Sequence, residues 1–133
     1  MQNDNAKFKM VSFICNLPHT FVGLVMGLIS LSLKLETHKN PFAIILRVKS
    51  LWRGIGYLKG LRATTMGNII LLSKEIKNNN LKHELIHVKQ YEEEPFMHPF
   101  LYLIEIIKRG YKNNKYELEA YNMAKNDYIE LKK

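Results

Sequence analysis

Cysteine is nearly missing from the sequence, which contains Cys15 alone among its 133 residues. A single thiol excludes an intrachain disulfide, and it excludes every metal site that is built from several cysteines. A reducing compartment is therefore compatible with this chain, and a disulfide framework is not.

The chain also lacks any run in which lysine and arginine alternate with aromatic residues, although its net charge is +8. Such a run would indicate a nucleic-acid platform, so nucleic-acid binding is not expected. The positive charge is compatible with an anionic membrane face or an acidic substrate, and it also fits an ordinary solubilising surface. Hydrophobic residues make up 47% of the sequence, which indicates a folded chain. Its length predicts a single domain over residues 1–133.

Formal charge is absent from residues 10–33, apart from His19 when that imidazole is protonated. A membrane helix needs about 20 apolar residues, so this segment is long enough only if Asn16 and Pro18 are tolerated within it. A cleavable signal peptide is not expected, because no small-residue cleavage site follows the apolar run.

Two patterns within residues 10–33 favour different interpretations. The spacing Gly23-x-x-x-Gly27 is typical of helices that pack in lipid. The alternation of apolar and polar residues from Leu31 to Glu36 instead favours a half-buried strand. Buried core structure and membrane association both stay open, and with them a cytoplasmic or a membrane-associated location.

The remaining patterns predict an α+β fold in which short N-terminal strands are followed by three helices. Residues 1–9 are polar and are expected to form a loose arm. Asn40-Pro41 predicts a turn, and Gly67 within a strand predicts a bulge or a close approach of another backbone segment. Strands are predicted over residues 42–48 and 63–72, a loop over 52–60, and helices over 81–94, 99–109 and 115–132.

Residues 82–90 read Lys-His-Glu-Leu-Ile-His-Val-Lys-Gln and contain the spacing His-Glu-x-x-His. On a helix, residues four apart lie on one face, so His83 and His87 can bind the same ion. Catalytic zinc takes three protein ligands and keeps a water in the fourth position. Glu84 is then placed to take a proton from that water. The motif therefore predicts a zinc-dependent hydrolase with Glu84 as the general base.

The third ligand has three candidates, Glu93, His98 and Glu117, and Glu119 is the fallback to Glu117. Glu93 lies ten residues after the first histidine of the motif, but a continuing helix would carry it away from the ion. His98 lies just beyond a proline and could fold back. Glu117 lies thirty residues after the second histidine, which leaves room for a second helix to face the first. Glu119 is two residues further and points in a different direction.

Together these motifs resemble the gluzincin type of zinc metallopeptidase, in which a Glu-x-x-Ala segment on a second helix completes the site. More closely, the chain resembles a family of small, largely uncharacterised bacterial proteins. Their pattern is Leu-Pro-x-Thr-x-x-Gly-Leu, Thr-x-Gly-[Asn/His]-x-[Ile/Val], His-Glu-x-x-His-Val-x-Gln-Tyr-Glu and Asn-Pro-[Tyr/Phe]-Glu-x-Glu-Ala. The corresponding segments here are residues 17–24, 65–70, 83–92 and 114–120. Lys115 departs from the pattern, which has proline at that position.

The resemblance implies a zincin-like fold with one zinc ion bound by His83, His87 and Glu117, and with Glu119 as the fallback third ligand. It implies hydrolysis of a peptide or protein substrate, which would add as a strand to residues 65–72. An electrophile that steadies the oxyanion is also expected. Its candidates, each of which also fits a packing role, are Tyr91, Tyr111, Tyr116 and His98.

Two other classes of protein compete with a peptidase. One is a catalytically inactive zincin-like protein that uses the same site structurally or sits at a membrane through residues 10–33. The other is a basic, metal-free protein that binds a membrane surface or nucleic acid through its charge.

Overall fold

The computed structural model of the chain describes residues 2–30, 32–48, 63–73 and 78–132. In chain order its elements are α1 (Gln2–Cys15), α2 (Leu17–Ile29), β1 (Ser32–Lys39), β2 (Phe42–Val48), β3 (Ala63–Met66), β4 (Ile69–Ser73), α3 (Asn78–Glu93), α4 (His98–Arg109) and α5 (Lys115–Lys132). The α+β class and the three helices that follow the strands are confirmed. The loop predicted over residues 52–60 lies outside the described residues.

The N-terminal part of the prediction is wrong, because two helices precede the first strand. The polar residues expected to form a loose arm belong to α1. No proline or glycine interrupts that helix, and Lys9 lies 3.9 Å from Glu92 of α3. The helix is therefore held by contacts with a distant part of the chain, which a local pattern does not reveal.

The four strands form one mixed sheet in the order β1-β2-β4-β3. β1 and β2 pair antiparallel through the turn predicted at Asn40-Pro41, β2 and β4 pair parallel, and β3 and β4 pair antiparallel. The strand predicted over residues 63–72 is a hairpin instead. Gly67 has a φ of 61°, a left-handed conformation that favours glycine, and it reverses the chain. The close backbone approach expected there is confirmed, because a Cβ added at Gly67 would lie 2.6 Å from the backbone N of Thr20.

The central strands bury apolar side chains on both faces, as the strands of a parallel pair commonly do. On one face the sheet packs against α3 through Ala43, Ile45, Ile70, Leu72 and Val88. On the other face it packs against Met26 of α2 through Leu46, Val48, Ile69 and Leu71. The sheet therefore lies between α2 and α3, and α3 carries the His-Glu-x-x-His motif.

The two glycines of α2 bring its backbone onto the sheet. A Cβ added at Gly23 would lie 2.7 Å from Cβ of Ile69, and one added at Gly27 would lie 2.4 Å from Cδ1 of Leu46. The Gly23-x-x-x-Gly27 spacing thus serves helix–sheet packing within the protein. In the described part of the chain no single helix is long and apolar enough to cross a membrane. Taken together, α1 and α2 have the length and composition of a membrane-spanning segment, but the two helices are bent by 56° relative to each other.

Candidate metal centre

The two histidines of the motif meet on one face of α3. Their Nε2 atoms lie 3.0 Å apart, and their rings are edge to face. Both side chains are largely buried, with 12% of His83 and 9% of His87 exposed. The helical spacing therefore brings the imidazoles together as the sequence predicted.

Glu117 reaches these histidines from the first turn of α5. Its Oε2 lies 3.1 Å from Nε2 of His83, and its Oε1 lies 3.3 Å from Nε2 of His87. One ligand atom from each of the three residues lies within 4.8 Å of the others. Among the described residues, this is the group of side chains that could hold a metal ion.

The donor atoms of this group lie close enough together to surround one ion. The Nε2 atoms of the two histidines are 3.0 Å apart, and the two oxygens of Glu117 lie 3.1 Å from His83 and 3.3 Å from His87. Two histidines and one glutamate are a donor set of catalytic zinc. The donor types are therefore compatible with a metal ion of that kind.

A hydrogen-bonded chain orients His87 towards the same point. Nε2 of Gln90 donates to the carbonyl of Tyr116 and to Oε2 of Glu119, at 3.1 and 3.0 Å. Oε1 of Gln90 is thereby turned towards His87, whose Nδ1 lies 2.8 Å away and donates to it. Because Nδ1 of His87 donates to Gln90, its Nε2 is turned towards Glu117 and His83.

Charge and burial oppose each other at Glu117 and His87. Burial raises the pKa of Glu117, but its hydrogen bonds with His83 and His87 outweigh burial and hold the pKa well below the usual 4.5. Burial lowers the pKa of His87, but its hydrogen bond with Glu117 and the charge of Glu84 leave that pKa above 6.5. Both pKa shifts favour the charged form, as expected for a buried carboxylate and an imidazolium that face each other.

Glu84, the predicted base, is 7% exposed and lies against β3. Oγ1 of Thr65 donates a hydrogen bond to Oε2 of Glu84. Burial raises the pKa of Glu84, and the nearby histidines offset only part of that shift. A buried carboxyl group with a raised pKa, fixed beside three converging donors, is suited to exchange protons.

A cleft of about 330 Å³ opens onto these residues. Met26 of α2, all four residues of β3 and part of α4 line it. Three of the four predicted electrophiles, Tyr91, Tyr111 and His98, also line it. The fourth, Tyr116, donates to Glu94 and lines a separate small pocket.

The other candidate ligands have different partners. Glu93 is exposed and lies 3.9 Å from Lys89. Glu119 is exposed and accepts a hydrogen bond from Gln90, so it is connected to His87 only through the side chain of Gln90. His98 is 2% exposed and lies beside Glu94, and burial lowers its pKa to about 4. None of the three belongs to the converging group.

Sequence reasoning assigned no role at the site to Thr65, Gln90 or Tyr102. Gln90 lies three residues after His87 on the same helix, so helical spacing signals that contact. Tyr102 donates to Oε1 of Glu117 from α4, and Thr65 donates from β3. Those two contacts depend on how separate elements pack, and no local pattern signals them.

Comparison of the chain with protein-family models, with curated protein sequences and with solved structures finds no match.

Proposed function

We propose that this protein is a zinc-dependent metallopeptidase with a zincin-like fold of the gluzincin type. The observation that carries the proposal is the convergence of His83, His87 and Glu117, with Glu84 beside them at an open cleft. The zinc ion is bound by the two histidines of α3 and by the glutamate of α5.

Zinc supplies Lewis acidity, which polarises a carbonyl and makes a water nucleophilic at neutral pH. The chain supplies the remaining functions. Glu84 accepts the proton that the attacking water loses, and it returns a proton to the leaving amine. Thr65 holds the carboxyl group of Glu84, and Tyr102 holds that of Glu117. Tyr91 and Tyr111 line the cleft and are our candidates for the hydroxyl group that steadies the oxyanion.

An extended peptide suits this cleft. β3 forms one end of the sheet order, and Ala63, Thr64, Thr65 and Met66 all line the cleft. Among the described residues only β4 pairs with β3, so the other side of β3 offers backbone groups to a peptide that adds as a strand. A substrate in that position passes in front of Glu84.

A catalytically inactive protein that uses zinc structurally is the alternative. Structural zinc sites are closed by four protein ligands, whereas catalytic sites keep one position open. In the described part of the chain three donors converge, and a cleft lies beside them. This arrangement favours catalysis.

The test compares wild-type protein with Glu84→Gln and with Glu93→Gln, a matched change at an exposed position of the same helix. Each protein is assayed for zinc content and for cleavage of a peptide library. We expect stoichiometric zinc in all three, wild-type cleavage by Glu93→Gln, and a loss of about 10²–10⁴-fold for Glu84→Gln. Equal cleavage by wild type and Glu84→Gln would reject the peptidase, and zinc-free wild-type protein would reject the metal centre.

A further inference from the structure

Two helices that line the cleft carry large apolar side chains on their outer sides. In α2 these include Phe21, Val25 and Leu28, which are 67%, 38% and 75% exposed. In α4 they include Phe100, Leu103 and Ile107, of which Ile107 is 76% exposed. We call these six residues the outer apolar face. Exposed apolar surface of this extent marks an interaction site.

α2 and α4 each have one side that faces the protein or the cleft and another side that faces outward. In α2, Thr20, Gly23 and Gly27 are buried, and the two glycines pack against the sheet. In α4, Pro99, Tyr102 and Ile106 line the cleft, while the outer residues lie one position further along each turn. Each helix therefore holds the protein with one side and leaves an apolar side outward.

The two outer sides adjoin where α2 and α4 begin. The ring of His19 in α2 stacks on Phe96 at 5.2 Å and meets the edge of Phe100 at 6.2 Å. The same imidazole lies 2.9 Å from the carbonyl of Phe96. The outer apolar face is therefore shared by two helices that are tied to each other.

We propose that the outer apolar face docks on an anionic lipid bilayer and that the cleft consequently acts on peptides presented at that surface. α2 cannot span the bilayer without leaving the sheet, because its glycines are packed against Ile69 and Leu46. It lies in the interface instead, with the protein on one side and lipid on the other.

Charge complements this docking. Acidic residues are absent from residues 5–35, so no carboxylate on α2 opposes an anionic surface. Lys108 at the end of α4 and Lys112 after it are exposed, and so is Arg109, which lies 3.6 Å from Glu105 of the same helix. Basic residues beside an apolar helix face are attracted to anionic headgroups. This arrangement favours a bilayer over a second copy of the chain, which carries the same positive charge.

The substrate class follows from the position of the cleft and rests on the proposed peptidase function. Met26 of α2 and Pro99 and Ile106 of α4 line the cleft, so the helices that dock also border the site. A peptide bond close to the membrane, in the flanking segment of a membrane protein or in a lipid-anchored peptide, is then delivered directly to Glu84.

The docking test is flotation of the full chain with vesicles of phosphatidylcholine, with or without phosphatidylglycerol. The double variant Leu28→Glu/Ile107→Glu is compared with Leu35→Glu, which changes a side chain of β1 that is 63% exposed. We expect binding to the phosphatidylglycerol vesicles by wild type and Leu35→Glu. Binding by the double variant should fall by about tenfold or more, with zinc content unchanged.

Sedimentation without lipid tests whether a second copy of the chain, rather than a bilayer, covers the outer apolar face. A wild-type dimer that the double variant splits, together with no vesicle binding, would assign the outer apolar face to a second copy and overturn the proposal. Equal flotation of wild type and the double variant would also overturn it.

The substrate class is tested with one peptide presented either free in solution or tethered to vesicle lipid. Wild type should cleave the tethered form faster, and the double variant should lose that advantage while it cleaves the free form normally. Glu84→Gln should cleave neither form and still float with vesicles. Cleavage by wild type without flotation would reject docking alone. Flotation with equal cleavage by Glu84→Gln would reject the peptidase alone.

Discussion

Two buried histidines, His87 and His98, each lie 3.3 Å from a glutamate oxygen, yet their electrostatics differ in sign. The pKa of His87 is raised above 6.5, and the pKa of His98 is lowered to about 4. Burial is the largest influence on both and lowers both. Distance to one carboxylate therefore does not separate a histidine of the candidate metal group from a histidine outside it.

The difference lies in what surrounds each pair. The side chain of Glu117, beside His87, is 6% exposed, whereas that of Glu94, beside His98, is 32% exposed and more strongly screened by water. His87 also has the charge of Glu84 and the hydrogen bond with Gln90. His98 is packed among aromatic rings, those of Tyr91, Tyr102 and Tyr116. Convergence of buried donors, rather than one contact, marks the candidate site.

The largest effect should come from His87→Ala compared with His98→Ala. Loss of His87 removes one of three donors, and we expect zinc affinity to fall by more than about a hundredfold. His98→Ala should keep the wild-type affinity, because His98 is outside the converging group. Competition with a chelator measures both values. An equal loss in the two variants would mean that His98 also holds the ion.

A smaller loss should follow from Gln90→Leu compared with Glu94→Gln. Gln90 fixes the proton of His87 on Nδ1, and removal of such an outer partner costs about 10–100-fold in metal affinity. Glu94 touches His98 and Tyr116 instead, so Glu94→Gln should leave affinity unchanged. Wild-type affinity in Gln90→Leu would show that the ring of His87 is held by packing alone.

The candidate site shows which contacts can be predicted from the sequence. His83, Glu84 and His87 lie within one helix, so helical spacing is enough to bring them together. Glu117 was named from a helix expected thirty residues further on and from a family resemblance. The two helices pack as that assignment requires.

Other features depended on contacts that a local pattern does not contain. β2 and α5 were predicted with their observed bounds, because β2 is a short run of β-forming residues and α5 begins directly after Asn114, whose side chain caps it. α1 was missed because its buried side is polar and small: Ser12 is buried within it, and Asn16 is buried directly after it. The Gly23-x-x-x-Gly27 spacing fits a helix that packs in lipid and a helix that packs against a sheet, and only the position of the sheet distinguishes the two. Thr65 and Tyr102 reach the site only through tertiary packing.

The low pKa of His98 predicts a pH dependence of stability. Between pH 6.5 and about 4 the unfolded chain binds a proton at this residue and the folded chain does not. Stability is therefore lost as the pH falls through that range, by up to about 1.4 kcal/mol per pH unit. Chemical denaturation of wild type and His98→Gln, both with chelator present, should show a flatter dependence in the variant. Parallel curves would mean that His98 is protonated in the folded state.

The smallest effect concerns the hydroxyl group that holds each carboxyl group. Thr65 donates to Glu84 beside the cleft, and Tyr116 donates to Glu94 away from it. Thr65→Val keeps the shape but frees the carboxyl group of Glu84, so kcat/KM should fall by about tenfold with zinc content unchanged. Tyr116→Phe removes the matched hydrogen bond and should leave kcat/KM at the wild-type value. Steady-state peptide cleavage measures both values of kcat/KM. A larger loss in Tyr116→Phe would indicate that Glu94, rather than Glu84, transfers the proton.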